Sequence, residues 1–147
     1  MLRPATRLRR LAFVSALAIS AAGCNAGEAI IQPTIDIAGA YVATTFKVTP
    51  TGKPAIDVLA RGGSMTIAIA TDNTTTGSLV IPQDVFGSAV NASMAGVAFK
   101  SGYSVGFHQT ADTFVRTFGW LAGGGTIATD TNDGSARIEI VLTRNGV

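Results

Sequence analysis

The sequence predicts an all-β protein: an antiparallel up-and-down meander closed into a small eight- or nine-stranded barrel, preceded by a helical signal peptide. Three observations carry this reading. From Gly39 onward, short runs rich in Val, Ile, Thr and Phe are broken by Gly, Asn, Asp or Pro, at the spacing of about 8–12 residues that marks sandwiches and barrels. No window beyond the N-terminal segment repeats its apolar residues with the 3.6-residue period of a helix. The breaks between runs are also too short to hold the crossover helices that parallel pairing requires.

Strands are expected near residues 39–49, 55–60, 64–71, 76–82, 95–100, 103–109, 113–121, 125–130 and 135–143. Between them lie turn formers that tolerate positive φ: Gly52, Gly62-Gly63, Asp72-Asn73, Gly102, Gly123-Gly124-Gly125 and Asn132-Asp133-Gly134. The longest break, Gln83 to Ser93, suits a loop or a single helical turn. Because successive strand residues point to opposite faces, alternation groups Met65, Ile67 and Ile69; Leu79 and Ile81; Val97 and Phe99; Tyr103, Val105 and Phe107; and Ile138, Ile140 and Leu142 as core. Thr66, Ser78, Ser104, Arg137 and Glu139 fall on the opposite, polar face, the last two as a charge pair at i, i+2. One dry and one wet face is what an antiparallel sheet closed on itself requires.

The N-terminal stretch has the parts of a secretory signal. Arg3, Arg7, Arg9 and Arg10 precede an apolar run of 12 residues, Leu11 to Ala22. At ~1.5 Å per residue that run is too short to cross a hydrocarbon core of ~30 Å. Ala21-Ala22-Gly23-Cys24 then resembles the bacterial lipobox, with Ala21 where the pattern usually carries Leu. The resemblance implies acylation of Cys24 by palmitate-type chains and membrane anchoring; ordinary cleavage after Ala22 would instead leave a secreted protein with a free thiol. With one cysteine in the chain, no intrachain disulfide can form. Asn25, where an Asp would retain the protein, implies by the same resemblance the outer membrane, facing the periplasm or the cell surface. The chain thus divides into a signal at 1–23, a lipid-anchored tether at 24–37 and a barrel at 38–147.

Charge narrows the partners. The whole chain carries 11 basic and 9 acidic residues, but four of the basic ones lie in the signal and all the acidic ones beyond it, so the mature part has a net charge of −2. No Lys/Arg cluster remains to neutralise a phosphate backbone, so nucleic acid is not an expected partner. The partners expected are a membrane, through the lipid, and a small apolar ligand.

Gly39-Ala40-Tyr41 resembles the G-x-W opening of the lipocalins, with Tyr for Trp, and Arg144 sits where that superfamily packs an arginine across the aromatic. Thr110 to Arg116 (TADTFVR) resembles the family's T-D-Y turn. Strict alternation sets Tyr41 on the face of Lys47, so a bulge is needed to bring it inward with Phe46. The resemblance implies an eight-stranded lipocalin-like barrel that carries a small apolar or amphipathic molecule, lined by Phe46, Met65, Ile67, Val97, Phe99, Tyr103, Val105, Phe107, Phe114, Arg116 and Phe118 and closed by Tyr41 and Arg144. The competing reading is a structural or protein-interaction lipoprotein whose barrel is packed full.

Other chemistry finds little support. Parity sends His108, the sole histidine, outward. Ser104, His108 and Asp112 assemble a triad on paper, yet no G-x-S-x-G elbow accompanies them, so no enzyme is expected. With one histidine and a committed cysteine, no zinc site or other cofactor site is expected. Asp130 to Gly134 with Glu139 departs from the calcium-loop spacing and reads as a hairpin turn. Arg116, sharing strand parity with Phe114, Phe118 and Trp120, is either a carboxylate clamp inside the barrel or a surface arginine lying over rings. If Cys24 carries the anchor, Cys24→Ser moves the protein from the membrane to the soluble fraction and abolishes globomycin-sensitive processing; unchanged partitioning in a fractionation assay rejects the anchor.

Overall fold

The computed structural model describes residues 35–111 and 114–146. The expected signal, Cys24 and most of the expected tether, together with Asp112 and Thr113 of the TADTFVR segment, lie outside the described residues. The strands are β1 Gly39–Pro50, β2 Ile56–Asp57, β3 Ser64–Ile69, β4 Thr74–Ile81, β5 Val90–Ser93, β6 Gly96–Ser101, β7 Ser104–Gln109, β8 Trp120–Gly123, β9 Thr126–Asn132 and β10 Ala136–Arg144. A short helix, α1, covers Gln83–Phe86, and a 3₁₀ turn covers Val115–Thr117. All pairings are antiparallel. The circuit β1, β3, β4, β6, β7, β8, β9, β10 returns to β1, giving a closed eight-stranded barrel with β2 and β5 as short additions.

Closure depends on β1, which pairs with β3 through Gly39–Val42 and with β10 from Tyr41 to Pro50. Its register against β10 slips between Ala43 and Thr45. Before that bulge Tyr41 and Ala43 face the core; after it Phe46 and Val48 do. The bulge required by the sequence is therefore present. β4 bends at Gly77, whose φ is +139°. A Cβ there would stand 2.2 Å from the Thr66 carbonyl oxygen, so only glycine lets β3 pass so close. Beyond the bend β4 leaves β6, its partner at Thr74 and Thr75, and takes β5 from Ser78 to Ile81.

Inward parity holds in four strands: Met65, Ile67 and Ile69, Leu79 and Ile81, Val105 and Phe107, and Ile138, Ile140 and Leu142 are all buried. It fails in β6. Directly paired residues share a face, and Ala98 pairs with Phe107, so the small Ala98 turns inward opposite the buried ring. Val97 and Phe99 then face solvent, 46% and 60% exposed. Tyr103 lies in the β6–β7 turn, where alternation does not operate, and is exposed as well.

The strand expected at 113–121 is mostly absent. Trp120 donates its indole N–H to the Val115 carbonyl and Thr117 its hydroxyl to that of Phe114, so side chains recruit backbone acceptors and fold the segment into the 3₁₀ turn. β8 begins only at Trp120. The strand expected at 55–60 shrinks to β2 because the Asp57 carboxylate accepts the Ala60 N–H and starts a turn. The break at 83–93 holds α1 but also β5, a strand the sequence pattern does not announce. Arg137 pairs not with Glu139 but with Asp130 on β9, through Nε at 2.8 Å and Nη2 at 2.6 Å; this holds the Asp130 carboxyl below the usual carboxylate range.

Most large apolar side chains face inward and the charged ones outward, the inverse of the pattern of a barrel that spans a membrane. Among the described residues no helix is long and apolar enough to cross one. Phe107 is 2% exposed and meets Trp120 edge-on, ring centres 5.5 Å apart. Phe107→Ala should therefore cost about 3–5 kcal/mol in denaturant unfolding. His108→Ala, one residue away on the wet face, should cost less than ~0.5 kcal/mol. Reversed magnitudes would contradict the register of β7.

Candidate functional site

Three places can bear function: the rim where the chain enters, the lumen, and the outer wall. At the entry rim Arg144 donates to the Tyr41 hydroxyl from Nε at 3.1 Å and Nη2 at 3.0 Å, and to the Asp36 carbonyl at 2.5 Å. Its guanidinium stands 5.5 Å from the centre of the Tyr41 ring, and the Tyr41 hydroxyl donates in turn to the Ile37 carbonyl. Lys100 reaches across to the Ile35 carbonyl with Nζ at 2.6 Å. These bonds press residues 35–37 over the rim, and Ile37 is 2% exposed. Among the described residues, Ile35 and Ile37 pack against the barrel core.

The lumen is occupied by the protein itself. A side chain lining a water-sized cavity keeps accessible surface even when the cavity is closed, and Phe46, Val48, Met65, Leu79, Ile81 and Ile140 keep none. Of the residues expected to line a ligand, Phe46, Met65, Ile67, Val105 and Phe107 are inside and in this core. Phe114 and Phe118 are half-buried at the rim opposite the entry, in a chain of rings: Phe86 to Phe114 at 6.0 Å, Phe114 to Phe118 at 4.7 Å, and Phe118 to Trp120 at 6.1 Å. Val97, Phe99, Tyr103 and Arg116 stand outside.

One polar group in the interior was not anticipated. Gln109, fully buried, donates to the Thr75 hydroxyl at 3.3 Å, and Thr75 donates to the Met94 carbonyl at 2.7 Å. Among the described residues the Gln109 carbonyl oxygen has no partner, a state that costs about 1–3 kcal/mol. Alternation could have found it, since Gln109 shares parity with Val105 and Phe107.

On the outer wall, Phe99, Phe107, His108, Arg116 and Thr117 border a cleft of about 400 Å³. Its aromatic edge exists because Gly106 has no side chain. A Cβ at Gly106 would meet the Phe99 ring at 2.0–2.7 Å, so the ring lies flat across the sheet over the glycine. Arg116 sits on the exposed side of the 3₁₀ turn, not on a strand among inward rings. Phe118 and Trp120 meet each other at a tilt of 51°, and the cation–π contact among the described residues belongs to Arg144. Arg116 is therefore a surface arginine, neither inside the barrel nor over those rings, and it forms no ion pair among the described residues.

Ser104 and His108 share the outer face of β7 but are four residues apart, or ~13 Å along a strand at ~3.3 Å per residue, far beyond hydrogen-bond reach. No group of three His, Cys, Asp or Glu among the described residues could hold a metal. Asp133 spends one carboxylate oxygen on the N–H groups of Ser135 and Ala136 and on the Ser135 hydroxyl. Those bonds lower its pKa, the Ser135 hydroxyl foremost; the segment is a hairpin turn.

No family model, no curated protein and no solved structure matches the chain. The site is thus defined by its own geometry. Arg144→Gln removes charged hydrogen bonds at a half-buried position and should cost about 2 kcal/mol. Arg116→Gln should change unfolding free energy by less than ~0.5 kcal/mol. Equal effects in denaturant titrations would contradict the distinct placement of the two arginines.

Proposed function

We propose that the chain is a lipid-anchored envelope protein, lipocalin-like in architecture, whose packed barrel presents its outer wall to a protein partner and carries no ligand inside. The observation behind this reading is the inner face, where the side chains of Phe46, Met65, Leu79, Ile81 and Ile140 leave one another no accessible surface. An eight-stranded barrel is just wide enough for its own side chains to fill. The lone Cys24 in its lipobox-like setting supports the anchor, and Asn25 the outer membrane.

A second reading rests on the cleft. At about 400 Å³ it falls within the ~300–1,000 Å³ range of small-molecule sites. The Phe99 ring offers a flat apolar surface and Arg116 a cation whose ion-pairing capacity is unused among the described residues. Together they suit a small amphipathic anion bound outside the barrel.

A fluorescent fatty acid titrated into delipidated protein separates these readings. The packed module predicts no saturable binding at micromolar protein. Binding weakened by about 1.5–3 kcal/mol in Arg116→Gln, the value of a hydrogen bond to a charged group, assigns the ligand to the cleft. Binding that is indifferent to Arg116→Gln would put the ligand in the lumen and overturn the proposal.

A further inference from the structure

We propose that the barrel rests on the lipid surface through the outer corner formed by Phe99, Tyr103 and Leu121. The inference rests on the anchoring of Cys24. The three side chains are 60%, 56% and 62% exposed, the most exposed of the large apolar residues. They lie on one corner: the Phe99 ring covers Gly106 of β7, Leu121 pairs with Ser104 of the same strand, and Tyr103 directly precedes it, its carbonyl accepting the Ala122 N–H at 2.8 Å.

This corner belongs to the rim where the chain enters. Tyr41, near the start of β1, pairs with Arg144 at the end of β10; the neighbouring Thr143 pairs with Thr126, and Thr126 with Gly123 at the end of β8. The β6–β7 turn that bears Tyr103 is therefore at the same end as Ile35. From Cys24 to Ile35 the chain advances eleven residues, and at most ~3.3–3.6 Å per residue it spans no more than ~40 Å. Because the tether joins the barrel at this rim, an acylated Cys24 would keep this rim within that reach of the bilayer.

Charge is distributed to match. Leu121 pairs with Ala128, which pairs with Val141, and the row nearer the rim holds Thr126, Thr143 and Val42. The first charges on this wall, Asp130, Glu139 and Lys47, come one row farther from the rim. At the rim, Lys100 and Arg144 are bound to the Ile35 and Asp36 carbonyls, while Asp36 and Asp72 accept the N–H groups of Ala38 and Thr74. A tyrosine beside two exposed apolar side chains, with the Arg116 cation across the cleft from Phe99, has the composition that settles at a membrane interface.

The test uses the mature, acylated full chain in vesicles of phosphatidylethanolamine and phosphatidylglycerol. Acylation blocks Cys24, so Leu121→Cys, or Ser135→Cys in the turn at the far rim, supplies the only thiol for an environment-sensitive fluorophore. The expected result is blue-shifted emission at 121, quenched by a lipid-borne quencher and lost when Phe99→Ser and Tyr103→Ser are added, with water-like emission at 135. Water-like emission at both positions, with the parent protein unlabelled, would overturn the docking while leaving the anchor intact. A blue shift at 121 that grows only with protein density would assign the corner to a second copy and also overturn it. Labelling of Cys24 in the parent would remove the anchor, and the docking with it.

Discussion

A single strand, β1, holds the barrel closed by hydrogen bonding along both of its edges. A sheet of this length has two edges to satisfy, and each would otherwise present unpaired N–H and C=O groups. β1 meets β3 on one side and β10 on the other. The cost is a change of curvature partway along, taken up at the bulge between Ala43 and Thr45. That one extra residue turns both Tyr41 and Phe46 inward, and so links two features that alternation alone sets apart: the aromatic corner at the entry rim and the centre of the core. The Arg144 contacts follow from it, because the guanidinium can reach the Tyr41 hydroxyl only while Tyr41 faces in.

Packing inside and outside the wall obeys one rule of size. Where β6 meets β7, a large residue on one strand is matched by a small one on the other. Ala98 gives way to Phe107 on the dry face, and Gly106 gives way to Phe99 on the wet one. The result is a core in which Phe46, Met65, Leu79, Ile81 and Ile140 keep no accessible surface, and an outer wall with a cleft. Small residues are thus spent on bringing strands and rings close.

Much of this was legible in the sequence. Turn residues at regular spacing located the breaks, and the alternation in β3, β7, β10 and the part of β4 beyond Gly77 identified the buried residues because those stretches are regular and one-sided. In β6 the pattern told only which residues share a face; both Val97-Phe99 and Ala98 are apolar, and the choice between them is made by the partner strand. The 113–121 segment misled because its β-branched and aromatic residues carry strand propensity, whereas the indole of Trp120 and the hydroxyl of Thr117 bind local carbonyls. Propensity lost to side-chain hydrogen bonds. The candidate site was less legible for the same reasons: Arg116 was placed by a parity that the 3₁₀ turn abolishes, and the cleft depends on Gly106, whose lack of a side chain has meaning only once Phe99 is known to lie beside it.

The direction in which the chain leaves the barrel bears on mechanical load. Residues 35–37 pass over the rim, the Asp36 carboxylate accepts the Ala38 N–H and the chain then enters β1, so tension applied at the N-terminus is passed on to that strand. It would have to slide β1 past both neighbours at once, loading the ladders to β3 and β10 in parallel, and before them the Arg144 bond to the Asp36 carbonyl and the Lys100 bond to that of Ile35. Bonds loaded together share the force, whereas bonds loaded end-on yield one at a time. The strand that closes the barrel is therefore also the one best placed to resist being drawn out by the segment that precedes it.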